Sequence, residues 1–221
     1  MRFSVLCQCP QGRSQRRLGG RDAEVGSERG EKRERGDKRE QQLQGGARPI
    51  EAALIAKNRA PGLNRSFAAE NYPWMPKAAW ELAKTEAKDK EFNGDYRIMG
   101  SDNDPACVSL SFANARKAGV ADCVTFKDGD ATKMSLPAES GIIVSNPPYG
   151  ERMMEQNDAR RLYSALGRHL KFANDWKKFI ITSEPEFEHY FGRRADKKRK
   201  FYNGKIKCDL YMFTDNTRRK K

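Results

Sequence analysis

Residues 141–182 read GIIVSNPPYGERMMEQNDARRLYSALGRHLKFANDWKKFIIT. The segment Gly141–Val144 is apolar throughout and too short for a helix, so it reads as a strand buried on both faces. Asp158–Leu170 carries Leu162, Leu166 and Leu170 at i+4 spacing, the signature of a helix with one apolar stripe. Phe179–Thr182 is again a short apolar run and reads as a second buried strand.

The same alternation extends upstream. Val124–Lys127 and Asp95–Gly100 are predicted strands, and Pro105–Ala118 between them is a predicted helix with Val108, Phe112 and Ala115 on one face. Pro76–Glu91 is a further helix, as is IEAALIA, with Pro49 suited to its first turn. Downstream, Pro185–Phe191 is a short helix. Lys200–Tyr202 and Lys205–Phe213 then flank Asn203-Gly204, a strong hairpin signal. Strand–helix alternation closed by a hairpin predicts an α/β fold with a mostly parallel sheet and an antiparallel edge. In such sheets ligands bind at the carboxyl ends of the strands.

Composition divides the chain near residue 47. Residues 11–47 contain Leu18, Val25 and Leu43 as their aliphatic residues larger than Ala, too little apolar surface to offset chain entropy. The expected organisation is a disordered, charged extension over 1–47 and a folded domain over 48–221. Forty-three Lys and Arg against thirty Asp and Glu give a net charge of +13, which favours a polyanionic partner over a neutral metabolite. The five cysteines, at 7, 9, 107, 123 and 208, form no CxxC pair, and the two histidines do not cluster. Neither a metal site nor a disulfide framework is expected. With no apolar run of membrane-spanning length and no signal-peptide pattern, a cytoplasmic protein without membrane contact is expected.

The strand Gly141–Val144 runs through Ser145 into Asn146-Pro147-Pro148-Tyr149. An exocyclic base amine is a poor nucleophile, because its lone pair is delocalised into the ring. Accepting both N–H bonds lets the nitrogen pyramidalise and attack an electrophilic methyl group. The Asn146 side-chain oxygen and the Pro147 carbonyl can be those acceptors. Pro147 and Pro148 stiffen the turn, and Tyr149 can stack on a base taken out of its helix. A Pro-Pro turn that merely ends a buried strand is the plainer alternative.

Asp102 follows the Asp95–Gly100 strand, where a carboxylate can hold both ribose hydroxyls of a nucleoside cofactor. Helix capping is its plainer role, which Asp104-Pro105 fills better. Asp130, after the Val124–Lys127 strand, can receive an adenine amino group, although DGDA is also ordinary turn chemistry. The basic run Arg193, Arg194, Lys197, Lys198, Arg199 and Lys200, beside Phe201 and Tyr202, offers phosphate contacts and stacking faces. A solvated charged face explains the run as well.

NPPYGER, together with PIEAALIA, APGLNRSFAAENYPW and ADKKRKFYNGKIKCDLY, resembles the THUMP-domain-containing bacterial methyltransferases of guanine N2 in large-subunit ribosomal RNA. The resemblance covers about residues 49–213, with separated blocks matching in order. It implies a Rossmann-like class I methyltransferase fold and S-adenosylmethionine as cofactor. It further implies Asn146, Pro147, Pro148 and Tyr149 as the target-amine site, Asp102 as the ribose contact, Asp130 as the adenine contact, and ribosomal RNA as partner. Bare NPPY also occurs in adenine-N6 methyltransferases, whereas Gly150-Glu151-Arg152 favours the guanine family.

The family's THUMP module has no counterpart here. Its first strand and DPFCGSGT-like loop, immediately before the PIEAA helix, are likewise replaced by QLQGGAR. The sheet is therefore expected to lack its first, central strand, and S-adenosylmethionine binding is expected to be weak or absent. A truncated start, with an unrelated segment translated before Arg48, is the preferred account. Phe3–Cys7, apolar and β-prone, is the rival candidate to fill the gap. The leading functional reading is an RNA guanine-N2 methyltransferase. A catalytically inactive RNA-binding remnant and an adenine-N6 methyltransferase on DNA or RNA are its alternatives.

Overall fold

The computed structural model describes residues 2–8, 47–136, 138–149, 153–203 and 206–214. Its strands are β1 (Arg2–Gln8), β2 (Arg97–Asp102), β3 (Val124–Asp128), β4 (Gly141–Ser145), β5 (Trp176–Thr182), β6 (Lys197–Asn203) and β7 (Ile206–Phe213). Its α-helices are α1 (Ala47–Ala56), α2 (Lys77–Asp89), α3 (Pro105–Ala118), α4 (Met153–His169) and α5 (Phe187–Phe191). The strands make one seven-stranded sheet in the order β3-β2-β1-β4-β5-β7-β6. β2 and β3 are parallel, as are β4 and β5, while β7 runs antiparallel to β5 and β6. The α/β class and the antiparallel hairpin edge are as expected, but the sheet is mixed, with parallel pairing confined to β2–β3 and β4–β5.

The central position is not empty, which corrects the expectation of a missing strand. Arg2–Gln8, from the segment assigned to the disordered extension, lies between β2 and β4 and runs antiparallel to both. Its register places Arg2 opposite Asp102 and Gln8 opposite Arg97, with an irregularity between Phe3 and Leu6. The physical reason is that β2 and β4 each present a row of backbone donors and acceptors toward the slot. A short β-prone segment satisfies both rows in either direction. The rest of the extension, residues 9–46, lies outside the described residues.

The sheet is covered on both faces. Ile98 packs with Ile50, Ala53, Ala115, Val120, Val124 and Phe126 in the layer formed with α1 and α3. Its neighbour Met99 faces the other way, into a core of Ile143, Leu162, Tyr163, Leu166, Leu170, Ile180, Phe187 and Tyr211. That opposition follows from the two-residue period of a strand. Two close approaches require glycine. At Gly100 a side chain would meet the Pro49 ring at 2.7 Å and Phe126 at 2.8 Å, so β2 passes directly beside the first turn of α1. At Gly167 it would meet the Phe191 carbonyl oxygen at 2.0 Å, where α4 crosses α5.

Two helix expectations are refined. The buried face of α3 is Cys107, Ser111 and Ala115, one step around from the predicted Val108–Phe112–Ala115 face. Phe112 is exposed and reaches back to meet Phe126 edge-on at 5.2 Å. The apolar stripe of α4 is as expected, and Leu170 continues it in a terminal 3-10 turn, Leu170–Phe172. In the hairpin Asn203 pairs with Ile206, so the connection is residues 204–205, which lie outside the described residues. Among the described residues no helix is long and apolar enough to cross a membrane. No group of three metal-ligating side chains occurs among them either.

Candidate active site

The carboxyl ends of β2, β3 and β4 converge at one edge of the sheet, and the aspartates and the NPPY turn sit there. Asp102 closes β2 opposite Asp128, the last residue of β3, and its carbonyl accepts the Gly129 N–H at 3.0 Å. The Asp102 carboxylate accepts the Asp104 N–H at 3.1 Å. Asp104 in turn caps α3, taking the Ala106 N–H at 2.9 Å ahead of Pro105. Capping is thus done by Asp104, and Asp102 remains at the strand end where a ribose contact is expected.

Asp130 lies in the turn after β3. Its Oδ1 accepts both the backbone N–H of Thr132, at 2.9 Å, and the Thr132 hydroxyl, at 2.8 Å. These bonds hold its carboxyl below the usual carboxylate range. Turn chemistry is therefore satisfied through one oxygen of an anionic carboxylate.

The NPPY turn carries an acceptor left open among the described residues. The Asn146 Oδ1 is buried and has no hydrogen-bond partner among the described residues. Such an atom costs about 1–3 kcal/mol, and an acceptor of that kind is what a pyramidalising amine requires. The Oγ atoms of Ser101 and Ser145, on the strands flanking β1, are also buried without a partner among the described residues. Pro147 is fully buried and Pro148 exposed. Gly150, Glu151 and Arg152, which favoured the guanine family in the sequence, lie outside the described residues.

A hydroxyl that sequence reasoning missed holds this turn. Tyr163 of α4 is completely buried and its Oη donates to the Pro148 carbonyl at 2.7 Å. Its single proton goes there, so the Thr182 hydroxyl, 3.0 Å away, donates to Tyr163. Thr182 Oγ1 then accepts the Glu184 N–H at 3.2 Å. Burial pushes the Tyr163 phenol above its ordinary value, against the hydrogen bond with Thr182, so it stays a donor. The signal was a tyrosine beside Leu162 on the apolar stripe, since a buried phenol needs a polar partner.

The arrangement suits the adenosine half of a nucleoside cofactor, with Asp102 ending β2 and Asp130 following the adjacent β3. It does not suit the methionine half. A family-type first strand would run parallel to its neighbours and end here in a glycine-rich turn. The strand present instead begins here, placing Arg2 opposite Asp102.

The basic run is divided by the fold. Arg193 pairs with Asp196 at 3.6 Å and lies over Phe213 at 5.5 Å. Lys198 pairs with Glu188 and lies over Tyr211 at 5.1 Å. Arg194 is exposed beside Glu188. Lys197, Arg199 and Lys200 are exposed on the edge strand β6 and form no ion pair among the described residues.

Residues 45–212 match the family model described as RMKL-like, methyltransferase domain (UPF0020). YpsC of Bacillus subtilis (strain 168), a candidate RNA methyltransferase, is 38% identical over 170 residues, covering 76% of this chain and 44% of its own length. Ribosomal RNA large subunit methyltransferase K/L of Shewanella baltica (strain OS185) is 38% identical over 179 residues, covering 77% of this chain and 25% of its own. The crystal structure of SMU.472, a candidate methyltransferase complexed with SAH, superposes with a TM-score of 0.74 at 39% identity, over 78% of this chain and 46% of that one. A predicted N6-adenine-specific DNA methylase from Listeria monocytogenes gives 0.72 at 39% identity, over 76% and 44%. The chain thus spans less than half the length of these relatives. On this match it belongs to the family of RMKL-like methyltransferase domains.

Proposed function

We propose that the domain is the base-methylating core of an S-adenosylmethionine-dependent RNA methyltransferase that acts on guanine N2 of large-subunit ribosomal RNA. The observation that supports this reading is the buried Asn146 Oδ1, without a hydrogen-bond partner among the described residues, in a turn anchored by Tyr163. The cofactor supplies the electrophilic methyl group. Asn146 and the Pro147 carbonyl accept the amine N–H bonds, Tyr149 stacks on the extruded base, and Asp102 and Asp130 hold the ribose and adenine. The names of YpsC and of methyltransferase K/L support RNA as substrate.

The test is nucleoside analysis of unmodified ribosomal RNA after incubation with S-adenosylmethionine. It uses a version in which residues 1–46 are replaced by a strand and a DPFCGSGT-like loop. N2-methylguanosine is the expected product. N6-methyladenosine would move the protein to the adenine class, which the name of the Listeria protein represents.

The reversed central strand favours a second reading for the polypeptide in its present form: an RNA-binding domain that does not turn over. Cofactor titration of residues 1–221 separates the two.

A further inference from the structure

A second feature involves arginines outside the 193–200 run. On the outer face of α4, away from the buried Leu162, Tyr163 and Leu166, five polar residues form one stripe: Asn157, Arg160, Arg161, Ser164 and Arg168. Their spacing of three, four and seven residues keeps them on one side of the helix. Tyr190 of α5 forms the opposite wall of the groove.

Arg160 is already oriented within it. Its Nε lies 3.2 Å from Glu184 and its guanidinium lies over the Tyr190 ring at 5.1 Å. The Tyr190 hydroxyl donates to Glu186 at 3.2 Å, which keeps the ring in place. Arg161 is exposed, with Asp158 on the preceding turn at 3.8 Å, and Arg168 is exposed in the last turn of the helix. The side chains lining the groove are cationic or neutral, and each arginine presents a planar fork of donors suited to phosphate oxygens.

The groove opens at the same end of the sheet as the NPPY turn. Arg160 contacts Glu184, two residues beyond β5, and Tyr163, three residues further along the helix, bonds Pro148. From Arg160 to Arg168 the helix rises about 12 Å, so one phosphate group cannot touch both ends.

We propose that this groove between α4 and α5 is the track for the RNA strand flanking the target nucleotide, with Arg160, Arg161 and Arg168 on its phosphates. It rests on the reading of RNA as substrate.

The test is fluorescence anisotropy of the full chain with a labelled RNA hairpin bearing a single-stranded flank, repeated across a potassium chloride series. Arg161→Gln/Arg168→Gln is the variant, since both side chains are exposed, and Arg160 is left to its pair with Glu184. Circular dichroism confirms that the variant is folded. Each single-strand phosphate contact contributes about 0.7 to the slope of log affinity against log salt, so a fall of about 1.4 is expected. Arg116→Gln/Lys117→Gln, at the end of α3, removes the same charge and should leave the slope unchanged. An unchanged slope in the groove variant, with the parent still binding in a salt-dependent way, overturns the track but not RNA binding. An equal fall in both variants also overturns it, since the effect would then belong to overall charge. Absence of RNA binding by the parent defeats the RNA reading, and the track with it.

Discussion

The Tyr163 hydroxyl donates to the Pro148 carbonyl at 2.7 Å, tying the apolar core under α4 to the turn that carries Asn146. Tyr163→Phe keeps the ring packing and removes that bond together with the one from Thr182. It takes the donor from the Pro148 carbonyl and the acceptor from the Thr182 hydroxyl proton, and the expected loss of stability is about 1–3 kcal/mol. Urea denaturation measures the loss. In the version with a restored strand and loop, methyl transfer should fall at unchanged cofactor affinity. A variant as stable and as active as its parent would show that the turn is held by its prolines alone.

Asn146→Ala should separate stability from activity. The Oδ1 it removes is a buried acceptor without a partner among the described residues, so none of those residues loses a bond to it. The melting temperature should stay level or rise, while methyl transfer by the restored version is abolished. That pattern marks an acceptor used in the transition state. Activity within a fewfold of the parent would remove Asn146 from the chemistry.

Residues 1–221 should bind S-adenosylmethionine far more weakly than the restored version. The strand opposite Asp102 runs the wrong way to deliver backbone amides to the methionine end. Two or three missing bonds at about 1 kcal/mol each correspond to roughly 30- to 150-fold in affinity. Side-by-side calorimetric titrations decide the matter, and equal affinities would show that Arg2–Gln8 supplies a working site.

Replacing Lys197, Arg199 and Lys200 with Gln should flatten the salt dependence of RNA binding without destabilising the fold, because these side chains are exposed and lie on an edge strand. Lys198→Gln should instead lower stability, since it breaks the pair with Glu188 and the contact with Tyr211. Thermal melts beside salt titrations test the division. An equal effect of all four positions on RNA binding would contradict it.

Acid should destabilise the sheet end that holds the candidate site. Bonds from the Ala106 and Thr132 backbone N–H groups hold the carboxyls of Asp104 and Asp130 below the usual range. Folded values below unfolded ones mean that the unfolded chain binds more protons. Their contribution is complete above about pH 4 and is lost as pH falls through the lowered values. Asp130→Asn should remove part of that dependence, and stability curves taken at successive pH values check it.

Residues 141–182 determined the strand–helix–strand unit, and the alternation around it determined the α/β class, because side-chain period depends on local backbone geometry alone. Asn146-Pro147-Pro148-Tyr149 was legible for a related reason: proline stiffness and amide chemistry belong to the residues themselves. What depends on distant partners was not legible. The α3 face turned to Cys107, Ser111 and Ala115 because the sheet beneath sets its rotation. Arg193 and Lys198 were drawn into pairs with Asp196 and Glu188, which only folding brings near. The direction of the central strand was the least legible feature. Alternating side chains read alike from either end, and backbone groups pair in both senses. Only the slot between β2 and β4, formed by residues far along the chain, decided that Arg2–Gln8 fills it, and fills it in reverse.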